Sequence, residues 1–419
     1  MLDVTELTQS RAACEQADAA DPLRSWREKF HLPEGLIYLD GNSLGPLPKA
    51  ARADLQQTIE QEWAEDLIVS WNKAGWWELP GTLGEVLAPV LGAAAGQTVV
   101  VDSVSLNLFK VVHAALQLRP GRKVIVSEAD GFPTDLYMLE GISGANPGVE
   151  RRLLGRDGET FEELLDDQVV VVVVSHVNFR TGEILDIAEL AEKVHAAGAL
   201  LVVDVCHTAG VVPIECDAWE LDFVVGCTYK YLNAGPGAPA FLYAARRHLA
   251  EALNPLPGWW SHARPFAFEG DYAPVAGIKR FCTGTQPILS FRGAQAGLGI
   301  AAQADLGQVR EKSQRLTQLF LKLSKRWLAE FGVGVVSPEA PELRGSQVSL
   351  YFENGFPVVR ALIARKIIGD FRPPGLMRFG FAPLYLRHTD VWDAATALRE
   401  VLASGEWQDE RFQEPSAVT

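Results

Sequence analysis

The feature that most constrains this chain is an unbroken run of six valines, Val169 to Val174, ending on Ser175. Consecutive β-branched residues favour a strand, and without polar alternation both faces of that strand must be covered. Similar runs recur at Thr98-Val-Val-Val-Asp102, Lys123-Val-Ile-Val-Ser127, Ala199-Leu-Leu-Val-Val-Asp204, Asp222-Phe-Val-Val-Gly226 and Pro239-Ala-Phe-Leu-Tyr243. Helical patterns lie between several of them, through Leu118 after Asp102 and from Ile187 to Gly198 before Ala199. Doubly covered strands alternating with helices predict an α/β protein, its large unit an α/β/α sandwich on a mostly parallel sheet. The hexavaline run is far shorter than the roughly 20 apolar residues that span a bilayer, so no membrane association is expected.

After Gly284 the texture changes. An amphipathic pattern from about Ser290 to Phe331 predicts one long helix. Beyond it, strands are predicted at Gln347-Val-Ser-Leu-Tyr-Phe352 and Met377-Arg-Phe-Gly-Phe381, with helices near Val358 to Arg365 and Asp390 to Ala403. The expected division is an N-terminal segment over 1–60 packing on both domains, a large domain over 61–290, and a small α+β domain over 291–419 that includes the long helix.

Charge and cysteine usage narrow the function. The 53 acidic against 38 basic residues leave a net charge of −15 and no basic cluster, which disfavours nucleic acid as a partner. Five scattered cysteines with no C-x-x-C pair argue against a disulfide framework and a zinc cage, and the eight histidines show no ligand spacing, so no metal is expected. The opening stretch "MLDVTELTQSRAACEQADAADPL" has early acids and no apolar core of a signal peptide. The expected setting is a reduced cytoplasm.

In open α/β sheets, ligands collect beyond the carboxyl ends of the strands. The polar residues there are Asp102 and Ser103, Ser127, Ser175 and His176, Asp204 with His207, and Thr228-Tyr229-Lys230. Singly, each reads as a cap, a turn, or a lysine snorkelling to the surface. Together they supply an amine, a carboxylate on the neighbouring strand, and hydroxyls at a helix N-terminus through Ser105. Pyridoxal 5′-phosphate needs these three: a lysine for its aldehyde, an acid for its ring nitrogen and a helix N-terminus for its phosphate.

The segments "YLDGNSLG" (38–45), "NLFK" (107–110), "FPTD" (132–135), "HVN" followed by "TG" (176–182), "GCTYKYLNAGPG" (226–237), "GTQP" (284–287) and "MRFGFAPLY" (377–385) together resemble kynureninase, in its bacterial form. The resemblance runs along nearly the whole chain. It implies a fold-type I pyridoxal-phosphate enzyme of the class V aminotransferase superfamily that converts L-kynurenine and water to anthranilate and L-alanine in tryptophan catabolism, the kynurenine pathway and NAD biosynthesis. A homodimer with shared sites is also implied.

Residue by residue, Lys230 resembles the Schiff-base lysine and general base, Asp204 the pyridinium partner, and His207 a neighbour of the cofactor. Phe132 resembles the cover of the ring face, with Pro133, Thr134 and Asp135 beside it and Asp135 near the reacting centre. Val104, through its backbone, and Ser105 match the phosphate loop. Tyr229 and Trp259 resemble further phosphate ligands, and Ser175 falls at a cofactor position. Thr285 is implied to reach the partner subunit's site. Arg378 resembles the grip on the substrate α-carboxylate, while Trp71 and Gly284 match positions near the substrate ring. Trp71 with Gly284-Thr285, where animal members carry histidine and Ser-Asn, implies a preference for kynurenine over 3-hydroxykynurenine. Tyr229 is the candidate proton donor to the β-carbon.

Two stretches depart from the family pattern: Asp204-Val-Cys-His207 for D-L-A-H, and Gly258-Trp-Trp-Ser-His262 for G-W-F-G-H. The alternatives are another fold-type I activity, an aminotransferase or a cysteine desulfurase, or a cofactor-binding module without turnover. A desulfurase needs a mobile cysteine before the carboxylate-binding arginine, and no cysteine follows Cys282.

Overall fold

The hexavaline run forms an interior strand of a seven-stranded sheet in the computed structural model, which describes residues 2–155 and 159–414. Across the sheet the strands are Thr98–Val100, Phe241–Ala244, Phe223–Gly226, Leu200–Asp204, Val169–Ser175, Val124–Glu128 and Glu150–Leu154. Only Phe241–Ala244 runs antiparallel to its neighbours. Every valine of the run is buried, and the side chains divide between two cores. Val169, Val172 and Val174 join one face with Leu190, Val194 and Phe291, whereas Val170, Val171 and Val173 join the other with Val111, Val112 and Leu139. The pairing with Val124–Glu128 slips by one residue at Val170, which explains why two adjacent valines share a face. The predicted mostly parallel α/β sheet is thus observed. The Glu150–Leu154 edge strand is an addition, since its charged sequence Glu-Arg-Arg lacks the apolar run of a doubly covered strand.

The Ser290–Phe331 pattern resolves into two helices, Ile288–Gln303 and Leu306–Leu328, rather than one. Ala304 is extended, and Asp305 restarts the helix by accepting the Gln308 amide at 3.1 Å. The second helix packs with His388–Ser404 under a four-stranded antiparallel sheet ordered Asp370–Arg372, Leu376–Gly380, Gln347–Tyr351, Gly334–Val335. The N-terminal residues share this core through Leu7, Cys14 and Leu39. Asp18 fastens them, accepting the His388 and Thr389 amides at 2.6 and 3.1 Å at the start of the last long helix. Among the described residues no helix is long and apolar enough to cross a membrane.

Candidate active site

Parallel strands deliver their ends to one place. Ser175 lies opposite Asp204, and Asp204 opposite Val225, so the chain leaving Gly226 reaches Lys230 directly beside the Asp204 strand end. The turn after Lys230 is held by Asn233, which adopts a left-handed φ of 55° and donates its amide to the Tyr231 carbonyl at 2.8 Å. Gly45 of the YLDGNSLG segment closes over it, donating its N–H to the Tyr229 carbonyl at 2.7 Å. A Cβ at Gly45 would lie 2.5 Å from the Lys230 carbonyl oxygen, so this contact requires glycine.

Lys230 is buried, and its Nζ lies 2.9 Å from His207 Nε2 and 5.7 Å from the centre of the Phe132 ring. Burial and the positive charges of Lys230 and Arg378 hold His207 well below the usual histidine range, so the imidazole is neutral. Asp204 accepts the Cys206 amide at 2.6 Å, which fixes the carboxylate at the strand end. Asp135, in the first turn of Pro133–Ala145, meets it from across the cavity. Burial and the Asp204 charge push Asp135 well above the carboxylate range, so Asp135 keeps its proton beside Asp204. Phe132 covers the other side and packs edge-on against Phe179 at 5.1 Å. Ser175 also faces the cavity; its amide donates to Glu128, a carboxyl that burial pushes up to about 7.

The helix Val104–Leu118 points its N-terminus into the same cavity, with Ser103, Val104 and Ser105 on the wall. Ser103, not Ser105, is the cap, accepting the Leu106 amide at 3.3 Å. The NLFK segment explains how this end is fixed. Asn107 donates to the Val101 carbonyl at 2.9 Å, while the fully buried Lys110 pairs with Asp102 and donates to the Phe281 carbonyl at 2.6 Å. Fifteen residues of aligned peptide dipoles and free N–H groups make this a ready anion site.

Thr134 and Tyr229 complete the wall, and burial beside Cys227 pushes the Tyr229 hydroxyl far up, so it keeps its proton. Arg378 stands behind Phe179 and does not line the cavity. Its Nη1 donates to the Phe179 carbonyl at 2.8 Å, and its Nε donates to Asp370 at 2.7 Å. Pro133 is exposed at the start of its helix. Trp71, Trp259, Gly284 and Thr285 also lie outside this cavity wall. Trp71 packs edge-on against Trp76 and Trp260 at 5.5 and 5.4 Å; Trp259 and Thr285 are exposed. The family departures find structural uses here. Trp260 is buried and stacks on Trp77 at 4.6 Å, and Ser261 donates to the Gly258 carbonyl at 3.0 Å. Cys206 follows the strand end and faces the cavity, its sulfur accepting the Cys227 amide at 3.2 Å.

Sequence reasoning placed the hydroxyl at the helix N-terminus on Ser105 rather than Ser103, and missed Phe179 as a wall and Asp370 as the partner of Arg378. The signal for Asp370 was present: an acid and an arginine eight residues apart across Pro373-Pro374-Gly375 become directly opposed strand neighbours in a hairpin.

This donor set fits pyridoxal 5′-phosphate. Lys230 would meet its aldehyde carbon, Asp204 with Asp135 its ring nitrogen, Phe132 its face, and Ser103 to Ser105 its phosphate. The buried His207 Nδ1 has no partner among the described residues, which leaves a polar group for a ligand to satisfy.

Comparison with known proteins agrees. A family model described as Kynureninase C-terminal domain matches residues 309–398. A protein named Kynureninase from Burkholderia pseudomallei (strain 1106a) is 46% identical over 407 residues, covering 96% of this chain and 98% of its own. Another of that name from Pseudomonas fluorescens is 44% identical over 415 residues, covering 98% of this chain and 100% of its own. Among solved structures, a cysteine desulfurase from Thermococcus onnurineus NA1 matches with a TM-score of 0.75 at 20% identity, covering 91% of this chain and 98% of its own. A mutant of C-DES with glycine covalently linked to its PLP cofactor matches with a TM-score of 0.73 at 17% identity, covering 89% and 98%. At these identities the structural matches show the fold, which is fold-type I.

Proposed function

The chain belongs to the kynureninase family, pyridoxal-phosphate-dependent hydrolases of carbon–carbon bonds, and from that premise we propose that it hydrolyses L-kynurenine to anthranilate and L-alanine in preference to 3-hydroxykynurenine. The observation that carries the reading is the Lys230 amine, held 2.9 Å from a neutral His207 in a cavity shared with Asp204 and a helix N-terminus. The bound cofactor supplies an electron sink for the carbanion at the substrate Cα. Everything else falls to the chain's own residues.

Lys230 takes the α-proton, and His207 steadies the amine by its hydrogen bond. Asp204 keeps the ring nitrogen protonated. The interaction of Asp135 with Asp204 supports a share in that task. Tyr229 keeps its phenolic proton at all working pH values, which supports its role as donor to the β-carbon once water has added to the ketone carbon and the bond between the two carbons breaks. Arg378 binds the α-carboxylate. The preference for kynurenine is supported by Trp71 and by Gly284-Thr285, the small pair at the family's ring position. We also propose a homodimer. Its support is that Trp259 and Thr285 lie outside the cavity of their own chain, and that Trp63, Leu67, Ile68 and Val69 are exposed apolar residues of the same polypeptide. The five buried free cysteines support a reduced, cytoplasmic setting and a place in tryptophan catabolism is the family expectation.

The desulfurase reading loses ground on the same cysteines, because all five are buried and none is available as a mobile nucleophile. The test supplies cofactor-loaded enzyme with L-kynurenine, 3-hydroxykynurenine or L-cysteine in parallel. Anthranilate fluorescence fastest from kynurenine, with equimolar alanine, is the expected result. Sulfide from cysteine, or no anthranilate from a yellow enzyme, overturns the assignment.

A further inference from the structure

Four of the five N–H groups of Arg378 are committed within the protein. Nε donates to Asp370 Oδ1 at 2.7 Å and Nη2 donates to Asp370 Oδ2, a side-on bidentate pair. The second Nη2 hydrogen reaches Ser43 Oγ at 3.4 Å, and one Nη1 hydrogen goes to the Phe179 carbonyl at 2.8 Å. Asp370 is fully buried and directly opposes Arg378 across the antiparallel strand pair. Ser43 donates to Asp370 Oδ2 at 2.8 Å, and the half-exposed Arg372 pairs with the same oxygen at 2.8 Å. The fork that would suit an incoming carboxylate is therefore taken by an internal one. Arg378 cannot swing free of it without leaving a buried carboxylate with much of its compensation lost.

Resting on the reading that Arg378 binds the substrate α-carboxylate, we propose that Asp370 is its positioning residue. By clamping the Nε–Nη2 edge, Asp370 leaves the Nη1 end of the guanidinium, beside the cavity-lining Phe179, as the edge a carboxylate meets. Ser43, bonded to both members of the pair, completes the clamp. The α-carboxylate is then gripped end-on from a pre-oriented arginine, and no rotamer change is needed on binding. The YLDGNSLG segment thereby gains a functional member in Ser43, beyond the packing role of its glycines.

The test compares the parent, Asp370→Asn, Ser43→Ala and Arg378→Lys in cofactor-loaded enzyme. Each is measured for KM and kcat with L-kynurenine, and for inhibition by the amine that lacks only the α-carboxylate. Thermal melting and cofactor absorbance are recorded alongside. Losing a charge-assisted bond should raise the kynurenine KM by about tenfold or more in Asp370→Asn. The inhibition constant of the carboxylate-free amine should stay within about twofold, since that amine never meets Arg378. A merely structural role would weaken both ligands together, and that result overturns the proposal. An unchanged KM in a well-folded Asp370→Asn enzyme overturns it too, provided Arg378→Lys raises KM. An unchanged KM in Arg378→Lys instead overturns the carboxylate assignment beneath it. Should Asp370→Asn fail to fold, Ser43→Ala decides: a severalfold KM rise with unaltered amine inhibition supports the clamp, and unaltered KM refutes it.

Discussion

The Lys230 Nζ lies 2.9 Å from His207 Nε2, and the other imidazole nitrogen, Nδ1, is buried with no partner among the described residues. Because burial and neighbouring positive charge keep the ring neutral, Nε2 is an acceptor for the amine and Nδ1 carries the proton. His207→Phe removes that acceptor while keeping a flat ring. Turnover should fall about tenfold or more at matched cofactor loading, with His207→Gln recovering part of it. Anthranilate release followed by fluorescence reads this directly, and equal rates in parent and His207→Phe would remove His207 from the mechanism.

Tyr229 offers a second test. Its hydroxyl is held protonated by burial beside Cys227, which suits the proposed role of proton donor. Tyr229→Phe should keep the yellow cofactor-bound form yet lose roughly 10²-fold or more in kcat, the usual scale of a general acid. A kcat within a factor of about two of the parent would assign the proton elsewhere.

The anchor of the helix Val104–Leu118 gives a stability prediction. Lys110 is fully buried between Asp102 and the Phe281 carbonyl. Lys110→Met leaves Asp102 uncompensated at a left-handed φ of 47°, where the strand end turns into the helix. We expect a loss of roughly 3 kcal/mol, read in denaturant melts, and faster cofactor loss on dialysis. An unaltered melt would show that the helix end is held by Asn107 alone.

These anchors also show what the sequence made legible. The strand ends, the lysine, the acid and the helix N-terminus were readable because parallel-sheet strands announce themselves by unbroken apolar runs, and their ends share one edge. Lys110 was visible only as part of a family segment; nothing in its spacing says that it reaches Phe281, 171 residues away. Asp305 hid a break inside an apparently continuous helical pattern, because a capping aspartate on a helix's polar side looks like any solvated charge. Asp370 was passed over because an acid next to an arginine in a hairpin reads as a surface pair until burial is known.

Asp40, in the same segment as Ser43, carries a pH prediction. Burial and the Asp370 charge raise its carboxyl from 3.8 to about 7. The folded state therefore holds a proton that the unfolded state releases at lower pH. Its contribution is fully present below about pH 4 and is lost as pH rises towards about 7, a change of about 4 kcal/mol. His176, held at about 4 by burial, works in the opposite direction between about pH 4 and 6.5, and His207, also held low by burial, acts in the same sense as His176. The difference between Asp40→Asn and the parent isolates the aspartate. The variant should gain stability relative to the parent as pH goes from 5 to 8, and a constant gap across that range would place the Asp40 charge in water.

The last prediction concerns the second copy. If Trp259 and Thr285 serve the partner's cavity, then a chain lacking Lys230 and a chain lacking Trp259 and Thr285 are each inactive for different reasons. Lys230→Ala leaves no functional cavity but still presents Trp259 and Thr285 on an exposed surface. The double variant Trp259→Ala with Thr285→Ala keeps its own Lys230. Unfolded together, refolded with cofactor and mixed in equal amounts, they should form hybrids in half of the dimers, each with one intact site out of two. About a quarter of the parent activity should return, because a two-fold interface pairs the same patches on both copies. Either chain refolded alone should stay near background. Activity that never exceeds the average of the two separate chains would mean that each cavity is built from one polypeptide, and Trp259 would then be only an exposed member of the Trp77–Trp260 stack.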